Sequence, residues 1–147
     1  MHKIPYYSQE KNWTCGPAAM RMVLSSMGIK KTEKELIRLM DTNKQRGTKH
    51  KAFSALAEYL KLNYIVQRNA TINDLRKVLR LGYYVILCYF DPKRNVGHYA
   101  ILKRLGLRFI YILDPTPPPE KFSLPYFKSI WFSRDDKEKG WFIGLKK

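Results

Sequence analysis

The chain is poor in cysteine: its 147 residues hold two, Cys15 and Cys88, in unrelated contexts. That excludes the disulfide framework of a small secreted domain and points to a reducing, cytoplasmic setting. Long apolar runs are missing too. The longest, residues 83–90 (YYVILCYF), is far too short to span a bilayer, and the opening MHKIPYYSQEKNW has no apolar core of an export signal. No internal repeat, low-complexity tract or linker divides the sequence, which leaves one domain over residues 1–147 as the expectation. Acidic residues are scarce, 12 against 28 Lys and Arg, for a formal charge of +16. Such an excess attracts acidic partners, but the lysines are dispersed from Lys3 to Lys147 without a basic block. The charge is therefore read as a solvated surface with at most weak association with acidic surfaces; nucleic acid is not an expected partner, because no stacking motif accompanies it.

The chain does have the means to build a core. Hydrophobic residues make up 45% and charged residues 27%, which separates it from disordered proteins. Over residues 15–27 the apolar positions Ala18, Ala19, Met22, Val23 and Met27 recur at helical spacing, and Gly28 supplies a stop. Thr32 with Glu35 forms a capping-box pair that opens a second helix. Thr48 is a candidate cap for a third, through Phe53, Leu56, Ala57 and Leu60, and Thr71 for a fourth ending near Gly82.

Beyond this point the period changes. Residues 83–90, 99–103 and 108–113 are rich in β-branched and aromatic side chains separated by turn chemistry, which predicts an antiparallel meander. A final strand is expected over residues 141–145. Helices followed by strands give an α+β fold, with one layer of helices on one antiparallel sheet. The stretch 115–119 (PTPPP) reads as a stiff surface loop.

Cys15 begins the first predicted helix, in Gln9-x5-Cys15-Gly16-Pro17-Ala18. A thiol there meets the positive end of the helix dipole, which favours the reactive thiolate, and Gly16 is expected to let a substrate carbonyl approach the backbone. Cys88, inside an apolar strand, reads as packing. Of the three histidines, His2 and His50 are expected to be solvated, whereas His98 stands at the mouth of a strand after Gly97. Asp114 ends the next strand. If the strands around Gly106 pair, Asp114 reaches His98, accepts its Nδ1–H and turns Nε2 toward the thiol.

Taken together, these motifs resemble the papain-like cysteine peptidases that process double-glycine leader peptides of bacteriocins, including the peptidase domains fused to their exporters. The likeness rests on Gln9-x5-Cys15-Gly16-x-Ala18, Arg46-Gly47-Thr48 before a helix, Gly97-His98-Tyr99, Leu113-Asp114-Pro115, and a tail with Phe127 and Trp131. It implies a papain-like α+β fold and a stand-alone member of the group. It also implies roles: Cys15 as nucleophile, His98 as base and acid, Asp114 as its orienting partner, and Gln9 with the Cys15 backbone N–H as oxyanion donors. The substrate implied is a peptide cut after small residues such as glycine, with no cofactor and no metal. Thr14 departs from the acidic residue that many members carry before the cysteine. The residues by themselves leave two other readings open: a transpeptidase, deamidase or isopeptidase using the same triad, and a non-catalytic module that binds an acidic partner or nucleic acid.

Overall fold

The computed structural model describes residues 4–117 and 120–147. His2 and the last two prolines of the 115–119 stretch lie outside the described residues.

Three helices lead: α1 (Cys15–Ser26), α2 (Glu33–Leu39) and α3 (His50–Tyr59). Each boundary has a local cause. Gly28, at φ +80°, turns the chain out of α1 in a conformation costly for other residues. The Thr32–Glu35 capping box opens α2 as the sequence predicts. Thr48, in contrast, does not cap α3. Lys49 takes that position, without a side-chain cap, while the Thr48 hydroxyl is buried in a 2.7 Å hydrogen bond with Thr42.

Strand β1 (Asn63–Gln67) and helix α4 (Ile72–Arg80) follow, α4 opened by a capping box between Thr71 and Asp74. The chain then forms β2 (Tyr84–Asp91), β3 (Val96–Leu105), β4 (Phe109–Leu113), β5 (Glu120–Ser123), α5 (Leu124–Ile130), the short pair β6 (Phe132–Ser133) and β7 (Glu138–Lys139), and β8 (Phe142–Lys146). The main sheet runs β1-β8-β2-β3-β4-β5, antiparallel at every pairing. Thus β2 to β5 form the expected meander, and β8 returns to slot between β1 and β2.

The expectation of helices on one side of the sheet is corrected. Ile86, Cys88, Tyr99 and Ile101 pack with Met20, Val23, Phe53 and Leu56 from α1 and α3, whereas Val85, Leu87, Ile110 and Ile112 pack with Leu75 and Val78 of α4 and Phe127 and Ile130 of α5. The reason lies in β2: a strand apolar at nearly every position, rather than at alternate ones, has two faces to bury.

Gly16 has a packing role that the sequence does not announce. It is buried, and a Cβ on it would stand 2.5 Å from Thr48 Oγ1 and 2.8 Å from Thr48 Cβ. Its hydrogen leaves room for Thr48, so Gly16 and the Arg46-Gly47-Thr48 motif are the two halves of one contact that sets the start of α1 against the loop before α3. Gly16→Ala should cost about 1–3 kcal/mol through overpacking, measured by chemical denaturation; an unchanged midpoint would show that Thr48 yields freely.

Candidate active site

The pairing of Ile101 with Leu113 puts the start of β3 and the end of β4 at the same end of the sheet. There His98 Nε2 lies 3.1 Å from Asp114 Oδ1, with His98 3% and Asp114 1% exposed. Such burial disfavours a bare carboxylate strongly, so the partners of Asp114 matter. Its Oδ1 also accepts the Thr116 N–H at 2.7 Å, and its Oδ2 accepts the hydroxyl of Tyr89, the cross-strand neighbour of His98. Burial raises the Asp114 pKa, but the hydrogen bond and charge of His98, with help from Tyr89 and Thr116, overcome it and hold the carboxyl below its ordinary range.

His98 shows the matching shift. Burial lowers its pKa, yet hydrogen bonds with Asp114 and Cys15 raise it to about 10, so the ring is an imidazolium at neutral pH. Cys15, half-buried at the first position of α1, is therefore beside this ring. The ring is turned opposite to expectation: Asp114 takes Nε2, which leaves Nδ1 for the thiol. Sequence carries no information about that half-turn, which is set by where α1 meets β3.

Gln9 is tied into the same cluster. Its backbone N–H donates to the Pro115 carbonyl at 2.9 Å, its Oε1 accepts the Thr116 hydroxyl at 2.8 Å, and its Nε2 donates to the Lys11 carbonyl at 2.7 Å. Among the described residues, one amide hydrogen of Gln9 is left uncommitted. The loop between Gln9 and Cys15 is braced from below by buried Glu33 of α2, whose carboxylate accepts the Glu10 N–H at 3.0 and 3.3 Å. Burial raises the Glu33 pKa, and the bond from the Glu10 N–H offsets part of that. Thr14 turns inward and bonds both polar groups of Lys11, the N–H at 3.1 Å and the carbonyl at 2.9 Å.

The structure thus brings Gln9, Cys15, His98 and Asp114 together. Sequence reasoning missed Thr116, whose hydroxyl is 2.8 Å from Gln9 Oε1 and 3.4 Å from His98 Nε2. Its only local signal was its place in Asp-Pro-Thr, where the carboxylate two residues back can accept its N–H. Among the described residues, no group of three or more His, Cys, Asp or Glu is arranged to hold a metal ion. A cavity of about 660 Å³, lined by Ala70, Ile72, Lys128, Trp131 and Lys139 among others, contains none of these four residues.

Cys88 lies in the core, 3% exposed, and burial pushes its thiol well above the ordinary range. His50 corrects the sequence reading: it is not solvated but 4% exposed, stacked on Trp141 at 4.1 Å. Its Nδ1 lies 2.6 Å from the Tyr99 hydroxyl and 3.1 Å from Asp136 Oδ2. Because Tyr99 donates its own hydrogen to the Thr48 carbonyl, Nδ1 carries the His50 proton and Nε2 is a buried acceptor without a partner among the described residues. Burial, reinforced by Arg68 and opposed by Glu138, lowers its pKa to about 4.

A sequence model described as the Peptidase C39 family matches residues 3–134. The chain belongs to the Peptidase C39 family. It is accordingly a cysteine-type peptidase. Among curated relatives, the Lactococcin transport/processing ATP-binding protein LcnC-like of Lactococcus lactis is 29% identical over 133 residues; the match covers 86% of this chain and 17% of that protein. The fold is similar to that of the peptidase domain of Streptococcus ComA, a bi-functional ABC transporter involved in a quorum sensing pathway, with TM-score 0.76, 23% identity and coverage of 95% of this chain and 96% of that one. It is similar also to a double glycine motif protease from an AMS/PCAT transporter, in complex with the leader peptide, with TM-score 0.66, 19% identity and coverage of 99% and 93%. No helix among the described residues is long and apolar enough to cross a membrane.

Two outcomes follow from this geometry. The His50 pKa lies below its unfolded value of 6.5, at about 4, so between those values the unfolded chain binds more protons and stability falls as pH falls. His50→Phe keeps a ring on Trp141 and should flatten that acid slope in denaturation curves; an unaltered slope would contradict the assignment. Thr116→Val should slow peptide hydrolysis about tenfold, since it releases the Gln9 side chain from its place beside His98, while Thr116→Ser restores it; equal rates for all three would remove Thr116 from the positioning of Gln9.

Proposed function

We propose that the chain hydrolyses leader peptides after small residues such as a glycine pair, using Cys15 as nucleophile, His98 as base and acid, Asp114 as its anchor and Gln9 as an oxyanion donor. The observation that carries this reading is the buried 3.1 Å Asp114–His98 pair, with Cys15 beside the same imidazole. The leader-peptide class is supported by the double glycine motif protease described with such a peptide.

In this mechanism the Cys15 thiolate attacks the scissile carbonyl carbon, and the C–O π electrons move onto oxygen. The uncommitted Gln9 N–H and the Cys15 backbone N–H receive that charge. Collapse of the intermediate breaks the C–N bond as the His98 imidazolium gives a proton to the leaving amine. The neutral imidazole then takes a proton from water, whose oxygen attacks the thioester, and collapse releases the acid and the Cys15 thiolate. Asp114, acceptor only, keeps the ring turned and favours its charged form through both halves of the cycle.

Cys15→Ala should abolish cleavage of a synthetic leader peptide ending in two glycines before the cut, and Cys88→Ala should retain it. Gln9→Ala should lower kcat by about 10²-fold with little change in alkylation of Cys15 by iodoacetamide, because the donor acts on charge that develops only after attack. Turnover undiminished in Cys15→Ala, or alkylation mapping to Cys88 instead, would overturn the reading. Alkylation of Cys15 without hydrolysis of any peptide would retain the nucleophile and remove the leader-peptide assignment.

A further inference from the structure

The far end of the same strands carries a surface that the active-site chemistry does not use. The β3–β4 turn places Leu107 at its tip, 91% exposed, with Phe109 36% exposed beside it. Lys103, Arg104, Arg108 and Lys121 are all exposed around them, and among the described residues none of the four has a carboxylate within 4.0 Å. Register aligns Arg104, Tyr111 and Lys121 in a row across β3, β4 and β5. In this row the Arg104 guanidinium lies over the Tyr111 ring at 4.1 Å, and Lys121 Nζ lies over the Phe109 ring at 4.6 Å.

The tip is held rigidly rather than left to fold back. Arg76 of α4 donates to the Gly106 carbonyl at 2.8 Å and to that of Leu105 at 3.5 Å. The Gly106 N–H closes the turn on the Phe109 carbonyl at 2.9 Å, and the Leu124 N–H anchors the Arg108 carbonyl at 2.9 Å. A braced turn that projects a leucine between unpaired cations is apolar at its point and positive around its rim. We infer that the β3–β4 tip, Leu107 ringed by Lys103, Arg104, Arg108 and Lys121, docks this protein on an anionic lipid bilayer.

The chemistry favours a bilayer over the alternatives. A convex tip needs a concave partner on a protein, whereas a bilayer receives it without a matching shape. Nucleic acid would use stacking faces, but Leu107 has none, and the Tyr111 and Phe109 faces already carry Arg104 and Lys121. Anionic headgroups meet the cations while the leucine enters the acyl boundary, and aromatic rings suit the level between them. His98 lies near the start of β3 and Arg104 near its end, so docking at the tip leaves His98 roughly 20 Å from the contact.

The test is flotation of the whole chain with vesicles of phosphatidylcholine alone, or of about three parts phosphatidylcholine to one part phosphatidylglycerol, in low and high salt. This readout is independent of catalysis. Binding is expected with the anionic vesicles only, and weakening with salt. Arg104→Gln with Arg108→Gln should lower affinity about thirtyfold, at the usual contribution of one surface cation each, and Leu107→Ser about tenfold, for the lost insertion. Lys51→Gln with Lys61→Gln, an equal loss of charge at exposed positions in and just after α3, should leave affinity within about threefold. Circular dichroism confirms that each variant is folded. No binding to anionic vesicles, or equal losses from the two charge pairs, would overturn the inference.

Discussion

A carboxylate that is 1% exposed and an imidazole that is 3% exposed, 3.1 Å apart, set the terms for this molecule. Neither group tolerates its surroundings alone: burial pushes Asp114 toward the neutral acid and His98 toward the neutral base. Each reverses the other's shift, and the Tyr89 hydroxyl and the Thr116 N–H complete the carboxylate's hydrogen bonds. The ring is left charged and directed, with one nitrogen spent on Asp114 and the other available to Cys15. The rest of the fold serves to bring the two strand ends and the start of α1 to that point.

Two segments distant in sequence depend on the same turn. The 114–116 segment holds His98 through Asp114 and holds Gln9 through the Pro115 carbonyl and the Thr116 hydroxyl. The Tyr6 hydroxyl adds a 2.8 Å bond to the Asp114 carbonyl, so the N-terminal segment is laced to the turn before it reaches α1. The position of Gln9 and the orientation of His98 are thereby linked, which is why Thr116 is expected to affect rate. On the other side, Glu33 and Thr14 stiffen the loop that carries Gln9 to Cys15.

Much of this was legible where the cause is local. The capping pairs Thr32–Glu35 and Thr71–Asp74, the αL glycine after α1 and the turn at Gly106 all announce themselves within a few residues. So did the meeting of His98 and Asp114, once the strands around Gly106 were taken as a hairpin. The failures share a physical reason: the partner is far away. β1 and β8 pair across the sheet, Asn63 with Lys146, and the short polar-flanked segment 63–67 gives little sign of it. His50 sits between lysines in sequence yet is buried by Trp141, Tyr99 and Asp136. Thr48 looked like a cap because nothing nearby reveals that Gly16 has left it a socket. The helices on the second face were foreshadowed by the unbroken apolar run of β2, a signal that the meander reading did not use.

The central claim, that buried Asp114 keeps His98 charged beside Cys15, is tested most directly by a pH titration of the histidine ring nitrogens in ¹⁵N-labelled protein. The account expects His98 to remain an imidazolium through neutral pH, titrate near 10, and lose that shift in Asp114→Asn. A neutral His98 ring at pH 7 in the intact protein, or a titration unchanged by Asp114→Asn, would contradict it.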